Sequence, residues 1–266
     1  MEIERNGSSL FYERTGNGAE KLLLFHGFGL DHKSFDPLTL SLQNDYSTFS
    51  FDLFYHGNSK WNNTGVPILP EDWKTFLDEF ITRENADHFS VVGFSIGARF
   101  ALATMMLYPH RVKRLILLAP DGIGNHPLFS AATSYSLNRQ LFRSIMSTPF
   151  LIENVLKLGL KVRIVDVATA RLALSQTKSD DLRLKIYHCW TVFRKLVFRV
   201  KEIARILNQH QIRLYIFVAA NDQMSRPRQL KKLAGLASES FIRTINRPHQ
   251  QLLRSVVVDL QAILRD

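Results

Sequence analysis

Short apolar runs separated by glycine, proline and asparagine dominate the first half of the chain. Ile3 to Arg5 and Leu10 to Arg14 alternate on either side of Asn6-Gly7, a dipeptide that favours a tight hairpin turn. Gly16-Asn17-Gly18 interrupts the chain before Lys21-Leu22-Leu23-Leu24-Phe25, whose nearly unbroken apolarity predicts a strand buried on both faces. Tyr46 to Leu53, Phe89 to Val92 and Val112 to Leu118 predict further strands. Between them, Trp73, Leu77, Phe80 and Ile81 recur at helical spacing, predicting a helix from Glu71 to Ile81. A second helix is expected from about Ile96 to Tyr108, stopped by Pro109. Strands alternating with helices predict an α/β fold, a mostly parallel sheet covered by helices on both faces.

The pattern changes after Ala119-Pro120-Asp121-Gly122. From Ser130 to Leu207 the periodicity is helical, most clearly where Ile186, Trp190, Phe193, Val197, Val200, Ala204 and Leu207 fall three or four apart. Strand-like sequence returns at Ile212 to Ala219 and, weakly, at Phe241 to Ile245; an amphipathic stretch from Leu252 to Leu264 closes the chain. The division expected is a core of residues 1–123 and 208–266 with a helical cap inserted at 124–207.

Charge adds one feature to this outline. The formal net charge is +10 over 266 residues. Residues 131–210 hold 14 Lys+Arg against 5 Asp+Glu, while the other 186 residues hold 20 against 19. The excess therefore sits on the helical segment, which points to one basic surface with an acidic partner rather than to nucleic acid. A single cysteine, Cys189, excludes an intramolecular disulfide framework and a cysteine-cluster zinc site. The first residues resemble no secretory signal and no apolar stretch reaches the roughly 18 residues of a membrane span, so a cytoplasmic protein is expected.

Chemistry concentrates at strand ends. Gly93-Phe94-Ser95-Ile96-Gly97 fits G-x-S-x-G, with a strand running into it and a helix running out. A serine hydroxyl needs a base, and the base an orienting acid. Asp222 follows the strand ending at Val218, and His249 follows the strand ending at Ile245. Ser95, Asp222 and His249 thus fall in the order serine, acid, histidine, each at the carboxyl edge of the sheet, where open α/β sheets bind ligands. Asp121 is the competing acid; it precedes the helical segment and reads as a turn or helix-cap residue beside Gly122. His26 and His56 each precede a glycine in a loop and read as loop-shaping residues; His188 and His210 read as surface or hydrogen-bonded residues. In His26-Gly27-Phe28-Gly29, the backbone N–H of Phe28 would pair with that of Ile96 as an oxyanion hole. No metal-ligand cluster or phosphate-binding or dinucleotide motif is present, and no cofactor is expected.

Together with Asp52-Leu53-Phe54-Tyr55-His56-Gly57-Asn58-Ser59, these residues resemble the α/β-hydrolases that carry a helical cap. In that family the Asp52 to Ser59 stretch is a loop signature, D-x-x-G-x-G-x-S, and Tyr55 stands where its first glycine is usual. Haloalkane dehalogenases and epoxide hydrolases, which are similar, use an aspartate where this chain has Ser95. His26-Gly27-Phe28-Gly29-Leu30 beside a basic cap is similar to the carboxylesterase of biotin synthesis, which acts on a carrier-bound methyl ester. The resemblance implies a serine hydrolase cleaving a carboxylic ester or thioester, with a small to medium acyl substrate. Carbon–carbon hydrolysis, lactone opening, perhydrolysis and a non-catalytic ligand receptor are the alternatives on the same scaffold. An acidic acyl carrier or anionic lipid is the partner suggested by the basic cap; nucleic acid is not.

Overall fold

The computed structural model describes residues 1–266 except 64, 125, 126, 164, 166, 221 and 223–225, and except the side chains of 168, 169 and 172. The hairpin opens it. Strands β1 (Glu2–Arg5) and β2 (Ser8–Thr15) pair antiparallel across Asn6 and Gly7, both with positive φ (49° and 74°), as the Asn-Gly turn requires. There follow β3 (Glu20–Phe25), α1 (Asp36–Leu42), β4 (Tyr46–Phe51), α2 (Pro70–Glu84), β5 (Phe89–Phe94), α3 (Gly97–Leu107) and β6 (Val112–Leu118). After the helices described below come β7 (Arg213–Ala219), α10 (Pro227–Leu236), β8 (Ser240–Ile245), α11 (Leu252–Ser255) and α12 (Val257–Arg265). The eight strands form one sheet in the order β1-β2-β4-β3-β5-β6-β7-β8, parallel from β4 to β8.

Alternation along each buried strand divides the core in two. Leu23 and Phe25 of β3 face the layer of α2 and α3, with Trp73, Phe80 and Phe100, whereas Leu22 and Leu24 face α1 and α12, with Leu38, Leu42 and Leu260. Because β3 lies between β4 and β5 while β5 leads on to β6, the strand order reverses at the β3–β5 boundary. The chain ends leaving β3 and β5 diverge there, and the crevice they leave is the place for a ligand.

Between β6 and β7 the chain is helical: α4 (Pro127–Thr133), α5 (Ser136–Ser147), α6 (Pro149–Lys161), α7 (Val167–Gln176), α8 (Asp180–Val192) and α9 (Val200–Gln209). The apolar stripe from Ile186 to Leu207 is thus two helices rather than one. A short 3-10 turn at Phe193–Lys195 breaks it, and Phe193 and Leu196 in and after that turn are themselves fully buried. Helix α9 packs on α3 and α10, beside the sheet, while α5 packs on α4, α6 and α8. The closing amphipathic stretch also breaks, at Val256, into α11 and α12.

Candidate active site

Ser95 sits between β5 and α3 with φ +53°, a left-handed backbone that a side-chain-bearing residue adopts at a cost of about 1–2 kcal/mol. The neighbouring glycines permit that turn. A Cβ on Gly97 would stand 2.2 Å from the Phe25 carbonyl oxygen and 2.4 Å from that of His26; one on Gly93 would stand 2.6 Å from Ala98 Cα. Helix α3 can therefore start directly against the ends of β3 and β5 only if both positions lack a side chain. The Ser95 N–H donates to Leu118 O (2.9 Å) and its carbonyl accepts from Asp121 N (3.1 Å), which pins the elbow to β6 and the loop after it.

His249 begins a 3-10 turn after β8 and rests on the ring of Phe94 at 5.3 Å. Its Nε2 is 3.1 Å from Ser95 Oγ and its Nδ1 is 2.8 Å from Asp222 Oδ2. A carboxylate only accepts, so Nδ1 carries the proton and Nε2 is left to accept from the serine hydroxyl. Asp222 is buried just beyond β7, and its N–H is 3.3 Å from Ala219 O; its neighbour Asn221 lies outside the described residues. His249 lies 154 residues beyond Ser95 and 27 beyond Asp222, yet three strand ends bring the three side chains together.

The loop after β3 brings Phe28 to the other side of the crevice, where Phe28 and Ile96 line the same cleft as Ser95 and His249. Among the described residues, neither the Phe28 nor the Ile96 N–H donates to a protein acceptor. His26 shapes this loop: its Nε2 accepts from Leu53 N (3.0 Å), so Nδ1 bears the proton and donates to Gly27 O (2.7 Å). Burial depresses its pKa to about 4 and that of His56 to about 3, a nearby His26 charge adding to the latter. His56 donates from Nδ1 to Phe54 O (3.1 Å) and stands edge-on to the Phe28 ring at 5.5 Å. Tyr55 takes φ +67°, a left-handed backbone that glycine adopts without strain, and stacks on His188 at 4.8 Å. His188 is thereby half-buried with Nδ1 lacking a protein partner, which corrects its reading as a surface or hydrogen-bonded residue.

Asp121 is paired not with His249 but with Arg99, whose Nε donates to Oδ2 at 2.8 Å, while His249 Nδ1 is taken by Asp222. Arg99 was missed in the sequence; the available signal was a lone charge four residues after Ser95 in an otherwise apolar helix. Its guanidinium is fully buried, donates to Phe193 O (2.9 Å) and lies 4.1 Å from the Phe129 ring centroid, fastening the helical segment to α3.

Two cavities meet here. The cleft over Ser95, about 670 Å³ including its solvent-open mouth, is walled by Phe129, Gln176 and Trp190 from the helices between β6 and β7. Next to it, an apolar chamber of about 800 Å³, counting its opening to solvent, is lined by side chains such as Phe142, Ile152, Leu156 and Ile186. Gln176 and Trp190 line both. Among the described residues no group of three His, Cys, Asp or Glu side chains is placed to hold a metal, and no helix is long and apolar enough to cross a membrane.

Comparison with known proteins agrees with this fold. A likeness in fold extends over the whole chain to a solved carboxylesterase from the thaumarchaeon Nitrososphaera gargenis, with a TM-score of 0.71 at 15% identity, covering 100% of this chain and 98% of that one. In sequence, the chain is 32% identical over 124 residues to the dihydrolipoyllysine-residue acetyltransferase component of an acetoin cleaving system from Cupriavidus necator, covering 45% of this chain and 32% of that protein. It is 29% identical over 112 residues to a pimeloyl-[acyl-carrier protein] methyl ester esterase from Nitrosomonas europaea, covering 42% of this chain and 41% of that protein. The chain thus spans less than half the length of these curated relatives. The family model described as serine aminopeptidase, S33 (Hydrolase_4), matches residues 17–250, and the chain belongs to this α/β-hydrolase family.

Proposed function

We propose that the protein is a serine hydrolase that cleaves a carboxylic ester or thioester through an acyl-enzyme. The observation that carries this reading is the hydrogen-bonded line from Ser95 Oγ to His249 Nε2 (3.1 Å) and from His249 Nδ1 to Asp222 (2.8 Å). In this mechanism Ser95 Oγ forms a bond to the acyl carbon as its proton passes to Nε2, and the carbonyl electron pair moves onto oxygen. The N–H groups of Phe28 and Ile96 receive that oxyanion, each donor contributing about 2.7–4 kcal/mol of transition-state stabilisation. Collapse expels the alcohol or thiol, which takes the proton from His249. Water then repeats the sequence on the acyl-Ser95 ester, and Asp222 holds the imidazole in the required tautomer throughout.

Residues 124–207 act as a cap in this reading, since Phe129, Gln176 and Trp190 wall the cleft from that segment. The cleft suits a small to medium acyl group. A relative named as a methyl ester esterase and a structural neighbour named as a carboxylesterase support ester or thioester hydrolysis over carbon–carbon cleavage, perhydrolysis or ligand reception. The protein is taken to work in the cytoplasm. The test is turnover of p-nitrophenyl esters from acetyl to palmitoyl, with Ser95→Ala beside the wild type. Release that peaks at one chain length and vanishes in the variant is expected; release undiminished by Ser95→Ala overturns the mechanism.

A further inference from the structure

Helices α5 and α6 are apolar on two faces. One face lines the chamber next to the Ser95 cleft, through Phe142 of α5 and Ile152 and Leu156 of α6. The other is bare. Leu137 and Leu141 on α5, and Phe150, Leu151, Leu158 and Val162 along α6, are all exposed, Phe150 at 69% and Leu158 at 60%. In α6 the spacing 151, 155, 158, 162 makes a continuous stripe. Val155 belongs to both faces: it lines the chamber and is itself 49% exposed, so the chamber wall reaches the bare surface there.

Charge identifies what covers this surface. Around the exposed side of α6 stand Lys157, Lys161 and Arg163 against one acid, Glu153, which is 3.6 Å from Lys157, while Arg139 and Arg143 of α5 turn away from Leu137 and Leu141, Arg139 to Thr133 O and Arg143 to the groove beside Asp180 and Tyr187. On the helical wheel Lys157 and Lys161 fall on either side of the exposed Phe150, roughly 90–130° around the helix from the centre of that stripe. A helix with protruding large apolar groups bordered by lysines is the pattern of one lying in a bilayer interface, apolar side in the acyl boundary and ammonium groups among the phosphates. An acidic carrier protein would satisfy the charges but not six large apolar side chains left in water; a bilayer with anionic lipids satisfies both.

We propose that the exposed face of α5 and α6 seats the protein on an anionic membrane, with the Val155 wall of the apolar chamber turned toward the lipid. The seating itself does not depend on the esterase reading. The further consequence does rest on it: an acyl chain drawn from the bilayer would fill the chamber and pass Trp190 and Gln176 to reach Ser95.

The experiment is co-sedimentation of the full chain carrying Ser95→Ala, so that binding is read without hydrolysis, on vesicles of phosphatidylcholine alone and of phosphatidylcholine with phosphatidylglycerol. Binding to the anionic vesicles only, weakened by salt, is expected. Two double variants, Phe150→Ser with Leu158→Ser and Lys157→Glu with Lys161→Glu, should each lower the partition coefficient about tenfold or more. None of these four side chains lines the cleft or the chamber, so both variants should keep the melting curve and, with Ser95 restored, the turnover of a short soluble ester. No binding to anionic vesicles overturns the proposal, as does binding that both double variants retain. A concentration-dependent dimer abolished by Phe150→Ser with Leu158→Ser, without vesicle binding, assigns the face to a second copy instead; retention on an acidic acyl carrier protein without vesicle binding assigns it to that partner. Absent ester turnover with intact vesicle binding removes the hydrolase reading and leaves the seating in place.

Discussion

Replacing His56 by asparagine should make the protein less sensitive to acid. The His56 ring is 2% exposed, its Nδ1 donates to Phe54 O at 3.1 Å, and its Nε2 has no protein partner. A proton on Nε2 would place a charge in apolar surroundings, with the His26 ring 5.2 Å away, and burial accordingly holds the His56 pKa at about 3. An imidazole in the unfolded chain titrates near 6.5. Above that pH the ring is neutral in both states and its contribution to stability is complete. As the pH falls below about 6.5 the unfolded chain gains a proton that the folded protein refuses, and stability is lost at about 1.4 kcal/mol per pH unit until the folded value is reached. At pH 5 the loss is about 2 kcal/mol from His56, and His26, held at about 4, loses about as much. Asparagine keeps a donor for the Phe54 carbonyl but does not titrate. Urea unfolding followed by tryptophan fluorescence at pH 7.5 and 5 should therefore show His56→Asn losing about 2 kcal/mol less than the wild type over that interval, whatever its stability at pH 7.5. Equal losses in the two proteins would refute the argument that the fold keeps this ring neutral.

Gly97→Ala puts a methyl group 2.2 Å from the Phe25 carbonyl oxygen and 2.4 Å from that of His26, so α3 must retreat from the loop that carries Phe28. A loss of about 3 kcal/mol in urea unfolding and about a hundredfold in ester turnover is expected; wild-type values for both would show that the elbow does not need this close approach. Trp190→Ala removes the side chain that lines both cleft and chamber and rests on Phe129 and Phe142 at 5.5 and 5.3 Å. It should cost about 3 kcal/mol of stability and move the preferred p-nitrophenyl ester to a longer chain; an unchanged chain-length profile would separate the chamber from the acyl site.

Strands and elbow were legible in the sequence for different reasons. The buried strands announce themselves because both faces are covered, so runs such as Leu22 to Phe25 and Leu115 to Leu118 are apolar without interruption. The elbow is legible because a strained turn under a close-packed helix admits little besides glycine at 93 and 97. Helix α1 was not: in its seven residues only Leu38, Thr39 and Leu42 are buried, too few for a period to show. Helix α10 was hidden similarly, entering through Arg226 at φ +50° and burying only Leu230 and Leu233. The stripe from Ile186 to Leu207 hides the boundary between α8 and α9 because the turn at Phe193–Lys195 buries its own apolar residues and so continues the spacing across a change of direction. The Arg99–Asp121 pair joins residues 22 apart, and no local pattern signals a partner chosen by the packing of α3 against the loop after β6.

The central claim is that Ser95 becomes covalently acylated, and intact-protein mass spectrometry on enzyme quenched during p-nitrophenyl ester turnover measures it most directly. The account predicts a mass increase of one acyl group, located to the peptide containing Ser95 and absent from Ser95→Ala. Turnover with no adduct at Ser95, or an adduct that persists in Ser95→Ala, would contradict it.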